Sequence, residues 1–210
     1  MTINLGQVQA TGSVIVSGVG GNSYSTIPPT DNAANRYQML GSYTGYNLYP
    51  GYGNVFHFSA PVRGAAPLIL STSKLGAPDI YSPTDEITFT AVEVKNATRV
   101  SSLFIDYLQR LQDPLAPGAD LARRQVITSR AVTTSGAAVL IAWWWGDGAG
   151  GLEHRAIPNN DFTVLGSALS MGDFVQFCFA YKQVDQAGTY DVSWDMLASE
   201  GAILWIAAIE

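Results

Sequence analysis

The sequence predicts an all-β protein, a two-sheet antiparallel β-sandwich of jelly-roll-like type, and three observations predict it. Short β-branched and aromatic runs recur along the chain, each bounded by Gly, Pro or Asn clusters. Several of these runs alternate apolar and polar residues with period two, the spacing of a half-buried strand. Finally, hydrophobic types make up 47% of the 210 residues, whereas Asp, Glu, Lys and Arg supply only 13%. The usual charged share is about 25%, so the polar surface must come from Ser, Thr, Asn, Gln, Gly and Tyr.

Charge and length exclude several classes. Disordered chains combine low hydrophobicity with high net charge, and this one does neither. Eleven basic against 17 acidic residues give a net charge of −6, so phosphate backbones would be repelled and no nucleic-acid partner is expected. No run of 18 apolar residues occurs, so membrane insertion by a helix is not expected. Met1–Gly6 carries neither a basic nor an apolar signal region. The location is therefore left unknown, with the exterior after assembly or after release without a Sec signal as one alternative. The single cysteine, Cys178 in Val-Gln-Phe-Cys-Phe-Ala, allows no internal disulfide and reads as a small core residue.

The expected strands are 13–19, 37–43, 55–62, 67–73, 86–94, 125–134, 137–145, 174–182, 189–194 and 202–209. Residues 101–112 fit two patterns. Leu103, Tyr107, Leu108 and Leu111 have helical spacing, and Leu103, Ile105 and Tyr107 have strand spacing. Gly18-Val19-Gly20-Gly21 lacks the Gly-Lys-Ser/Thr of a phosphate loop and reads as a connection between strands.

An internal echo organises the chain. Gly12-Ser13-Val14-Ile15-Val16 resembles Gly136-Ala137-Ala138-Val139-Leu140-Ile141. Asn35-Arg36-Tyr37-Gln38-Met39-Leu40-Gly41-Ser42 resembles Asn160-Asp161-Phe162-Thr163-Val164-Leu165-Gly166-Ser167. Val55–Ala60 resembles Val175–Ala180, and closing strands follow at 87–94 and 203–209. Four blocks in one order predict a single domain, 1–210, with an internal pseudo-repeat. Its two similar halves span about 12–95 and 136–210, joined by a bridge over 96–135.

Catalysis is poorly provided for, and no enzyme is expected. His57 lies between Phe56 and Phe58, so alternation turns it to the opposite, solvent or partner, face. His154 near Asp147 could complete a Ser-His-Asp arrangement, but no Gly-x-Ser-x-Gly elbow occurs. One Cys and two His are too few for zinc. Asp31-Asn32, Asp147-Gly148 and Asn159-Asn160-Asp161 offer oxygen donors for calcium, but turn chemistry explains them without a metal. Glu86, Glu93, Asp191 and Asp195 are the strand carboxylates that a glycosidase could use. No catalytic residue, metal ligand or cofactor is assigned.

Aromatic residues are the stronger lead. Tyr43, Tyr46, Tyr49 and Tyr52 recur every three residues in a Gly/Asn/Pro-rich segment, with Asn47 and Asn54 beside them. Tyr rings offer area for stacking on sugar C–H faces, and Tyr and Asn add hydrogen bonds. The competing reading is that this segment caps the core. Trp144, in Trp143-Trp144-Trp145, is a secondary binding candidate, with burial in the core or in an interface between copies as the alternative.

The segments 14–19, 37–42, 139–145, 162–167 and 203–209, in that order, resemble the duplicated immunoglobulin-like or jelly-roll modules of bacterial surface proteins and phage tail or fibre proteins. The resemblance implies adhesion, glycan contact or virion structure, and carries over no functional residue. The expected function is thus a non-enzymatic binding and assembly module, an outer component of a virion-like particle or filament that contacts surface glycans. Its expected partners are further copies of itself and a polysaccharide or glycan. The alternatives are a purely structural shell or filament subunit, and a free lectin-like protein or glycan-cleaving enzyme.

Overall fold

The structure, a computed structural model, describes residues 1–21, 28–41, 44–46, 53–64, 67–72, 87–108, 123–147, 156–170, 175–197 and 201–210. Among them every regular element is a strand. In chain order these are β1 (Thr2–Gly6), β2 (Ser13–Gly21), β3 (Thr30–Asp31), β4 (Gln38–Met39), β5 (Thr44–Tyr46), β6 (Gly53–Pro61), β7 (Leu68–Ser71), β8 (Ile87–Lys95) and β9 (Val100–Leu108). There follow β10 (Arg124–Thr128), β11 (Val132–Thr134), β12 (Ala138–Asp147), β13 (Ile157–Pro158), β14 (Thr163–Ser170), β15 (Val175–Val184), β16 (Gly188–Tyr190), β17 (Ser193–Leu197) and β18 (Ala202–Ile209). The chain divides into two compact units, Met1–Ser101 with Ile209–Glu210, and Ser102–Ala208.

In the first unit a sheet ordered β4-β6-β2-β8, with β5 also paired to β6, faces a three-stranded sheet ordered β1-β7-β3. Ile15 and Phe89 from the larger sheet pack with Leu68 and Leu70 from the smaller, and Ile3, Leu5 and Val19 close the rim. Ile15, Leu68 and Leu70 have no exposed surface, and each such burial is worth about 1.5–3 kcal/mol. Period-two alternation predicts that the other face of the larger sheet should be polar. It is not: Val14, Val16, His57 and Val94 on that face are buried as well.

In the second unit the large sheet is ordered β14-β15-β12-β18-β9 and the small one β10-β17-β13, beside a β11-β16 pair. The core joins Leu140, Ala142 and Trp144 of β12, Cys178 and Ala180 of β15, and Leu204 and Ile206 of β18 to Trp194 and Met196 of β17. Here too both faces of the large sheet are closed. All eight residues of β18 are buried, and Trp143 stacks on Phe179 at 4.8 Å and meets Trp205 edge-on at 4.0 Å.

The echoed sequence blocks occupy matching places in the two large sheets. The pairs β4 and β14, β6 and β15, β2 and β12, and β8 and β18 stand in the same order. The small sheets match in the same way, with β1, β7 and β3 against β10, β17 and β13. Even the turns agree: the Asn32 N–H donates to the Ile69 carbonyl at 3.3 Å, and the Asn159 N–H to that of Ser193 at 2.7 Å.

Several expectations need revision. Residues 96–135, expected as a bridge, contribute β9, β10 and β11 to sheets of the second unit. Residues 100–108 take the strand alternative, and 109–112 lie outside the described residues. Gly18–Gly21 is the end of β2, not a connection: Gly18 pairs with His57, Val19 with Phe56, Gly20 with Val55 and Gly21 with Asn54. The expected strands 125–134 and 189–194 each break in two, where the Ser129 N–H donates to the Val192 carbonyl at 2.9 Å.

Candidate functional site

The tyrosine-rich segment begins and ends on paired strands. Thr44 pairs with Val55, Gly45 with Asn54 and Tyr46 with Gly53. Residues 47–52 therefore connect two antiparallel strands at one edge of the first unit's large sheet. Tyr43, Asn47, Tyr49 and Tyr52 lie outside the described residues. For Tyr46 and Asn54 the backbone is described and brings the two to neighbouring register positions on β5 and β6.

Trp144 corrects the expectation that named it a secondary ligand contact. It is fully buried, pairs with Cys178 across β12 and β15, and lies 5.7 Å from the Trp194 ring at a 52° tilt. A ring enclosed in this way cannot stack on a sugar from solution. The burial alternative holds within the second unit itself, where Trp144 lies in the core with Trp194 and Met196 of the small sheet.

His57 also departs from expectation. It is 3% exposed, on the same closed face as Val14, Val16 and Val94. Burial pushes its pKa down to about 3, because the imidazolium would lose its hydration there. At neutral pH it is a neutral core group. The alternation argument that turned it outward assumes that only one face of β6 is buried.

The loop carboxylate Asp31, a candidate calcium donor, is engaged by its own chain. Its Oδ1 accepts from the backbone N–H groups of Ala33 at 2.9 Å and Asn35 at 3.0 Å. Its Oδ2 accepts from Asn35 Nδ2 at 2.8 Å and the Tyr37 hydroxyl at 2.7 Å. Partial burial works to raise the Asp31 pKa, but the bonds from Tyr37, Asn35 and Ala33 outweigh it and hold the carboxyl below its usual 3.8. Burial and the adjacent carboxylate push the Tyr37 hydroxyl well above its ordinary value. Asn35 Oδ1 in turn accepts from the Arg63 N–H at 2.6 Å. This is turn chemistry, with Ala34 at φ 55° inside the turn.

The strand carboxylates are engaged as well. Glu93 Oε1 accepts from the Gln9 N–H at 2.6 Å and the Ser13 hydroxyl at 2.8 Å. Asp191 accepts from Asn160 Nδ2 at 2.9 Å, and Asp195 lies 3.5 Å from Arg124. Glu86, Asp147 as a side chain, and His154 lie outside what is described. Among the described residues no group of three or more His, Cys, Asp or Glu is placed to hold a metal ion.

One surface feature went unnoticed in the sequence. Strand β14, Thr-Val-Leu-Gly-Ser-Ala-Leu-Ser, closes one edge of the second unit's large sheet and carries no charge. Val164 and Leu165 are 44% and 46% exposed. The signal was present as an uncharged, Pro-free strand, but strand order is not legible in one sequence.

Comparison with models of known protein families, with curated proteins and with solved structures finds no match.

Proposed function

We propose that this chain is a non-enzymatic binding and assembly module, an outer component of a larger particle or filament, whose tyrosine-rich connection contacts surface glycans. The observation that carries the reading is the pairing of Tyr46 with Gly53, which ties both ends of the 47–52 segment to one sheet edge. A recognition segment anchored on a rigid scaffold loses less freedom on binding than a loose one. Tyr43, Tyr46, Tyr49 and Tyr52 supply ring faces for sugar C–H surfaces, and Asn47 and Asn54 supply amides. The assembly half of the reading is supported by the low charge of the chain, since interface cores are depleted in charged residues. The matching order of strands in the two units supports an origin by duplication.

A glycan array probed with the purified chain tests the binding half. Binding to at least one neutral glycan is expected, together with its loss in Tyr46→Ala and Tyr49→Ala variants that keep the far-ultraviolet spectrum of the parent. Binding that survives both substitutions, or no binding to any glycan, would overturn the role of the tyrosines.

A further inference from the structure

We propose that the core of the second unit holds an internal water at Gln176, bridging its side-chain amide to the indole N–H groups of Trp144 and Trp194. The inference is independent of the glycan and assembly readings above. All three side chains are fully buried. Neither polar atom of the Gln176 amide, and neither of these two indole nitrogens, has a hydrogen-bond partner among the described residues. A buried amide or indole N–H without a partner is costly, and such groups are satisfied by the chain itself or by ordered water.

The ladder brings the three together. β12 and β15 pair antiparallel, with Gly146 opposite Gln176 and Trp144 opposite Cys178. Opposed residues share a face of the sheet, and so do residues two apart on one strand. Gln176 therefore stands diagonal to Trp144, on the face that carries Trp144 and Cys178 into the core. Diagonal neighbours lie about 7–8 Å apart, within reach of long side chains, and Gly146 beside them has no side chain to interpose. Trp194 approaches from β17 in the facing small sheet, its ring 5.7 Å from that of Trp144.

The donor set selects the occupant. An indole nitrogen only donates, so the two tryptophans cannot satisfy each other, and Gln176 Oε1 is the one acceptor among the three side chains. It bonds to neither indole. Water accepts from two donors and returns a proton to an acceptor, which is what two indoles and one amide oxygen require. Among the described residues no Lys or Arg is buried, so an anion in the same place would lose its hydration without a counter-charge. A neutral acceptor fits.

The first unit shows that this position does not call for an amide. Val55–Ala60 matches Val175–Ala180, which sets Phe56 in the place of Gln176 and Phe58 in that of Cys178. In that ladder Phe56 stands opposite Val19, and Phe58 opposite Ser17. The apolar pair of Val19 and buried Phe56 is thus replaced by Gly146 and Gln176, and Ser17 by Trp144. An amide carried where the fold accepts a ring, next to indoles that the other unit lacks, belongs to a polar site of the second unit alone.

Water-selective NMR and oxygen-17 relaxation dispersion test this. Rotating-frame Overhauser spectra of the parent chain should show cross-peaks from the water line to the indole N–H protons of both Trp144 and Trp194. Oxygen-17 dispersion reports water and is blind to exchanging protein protons. Its amplitude should fall by about one long-lived water per chain in Gln176→Met, which keeps the length of the side chain and removes the amide. The urea midpoint of Gln176→Met should fall as well, because both indoles lose their acceptor. A missing cross-peak at either indole, equal dispersion in parent and variant, or a higher urea midpoint in the variant would overturn the inference. If Gln176→Met does not fold, the cross-peaks of the parent decide it.

Discussion

The buried histidine offers the sharpest test of how the first unit is built. His57 titrates near 6.5 when unfolded and at about 3 in the folded chain. Between those values the unfolded state binds the extra proton, so stability rises with pH across the window. The contribution is fully present above the unfolded value and is lost as pH falls towards the folded one. For a single group with these two values, the loss from about pH 7 to about pH 5 is roughly 2 kcal/mol. Urea denaturation at both pH values measures it directly. His57→Gln keeps a polar side chain of similar reach and removes the titration. The parent should therefore lose about 2 kcal/mol more than the variant over this interval, where most carboxylates remain ionised. Parallel behaviour of parent and variant would refute the argument. His57 would then reach solvent, and the closure of both faces of the large sheet would be wrong.

Two further predictions concern close packing and the Asp31 turn. A Cβ at Gly146 would overlap the Gly201 carbonyl oxygen and lie 2.6 Å from Ala202 Cα; both are backbone atoms that cannot swing aside. Gly146→Ala should cost about 3 kcal/mol in urea denaturation, whereas Gly136→Ala, with nothing within 4 Å of the added atom, should stay within about 0.5 kcal/mol of the parent; equal effects would refute the close approach. Tyr37→Phe removes the 2.7 Å bond to Asp31 and should cost about 1.5–3 kcal/mol. Because Tyr37 is the strongest of the influences lowering the Asp31 pKa, the carboxyl should also titrate at higher pH by NMR. An unchanged titration would mean that the backbone donors alone hold it.

How far the sequence could be read depended on which physical signal each element left. Strands β2, β8, β12, β15 and β18 leave β-branched or aromatic runs between turn residues, and their positions were legible. The four echoed blocks were legible too, and they fall at matching places in the two large sheets. What failed was the inference from alternation to exposure. Alternation predicts an outward face only where one side of a sheet meets water. In this chain His57, assigned to an outer face, is buried because that face is closed too, whereas Trp144, a binding candidate, is buried because it lies on the core face against Trp194.

The sequence did carry a warning. Ala202–Ile209 has no polar residue, and Trp143–Trp145 fills both faces of one strand; such unbroken runs mark strands covered on two sides. Applied to the neighbours of those runs, that rule places Cys178 and Trp144 in the core, as found. It says nothing direct about His57, which stands beside Gly18 in the ladder, and pairing partners are a property of the fold. The edge strands invert the problem. β14 looks like any half-apolar strand, and its place at the end of the order β14-β15-β12-β18-β9 is a property of the fold that one sequence does not show. Low charge is ambiguous in the same way, because it describes equally the interiors of two cores and a neutral strand at the end of a sheet.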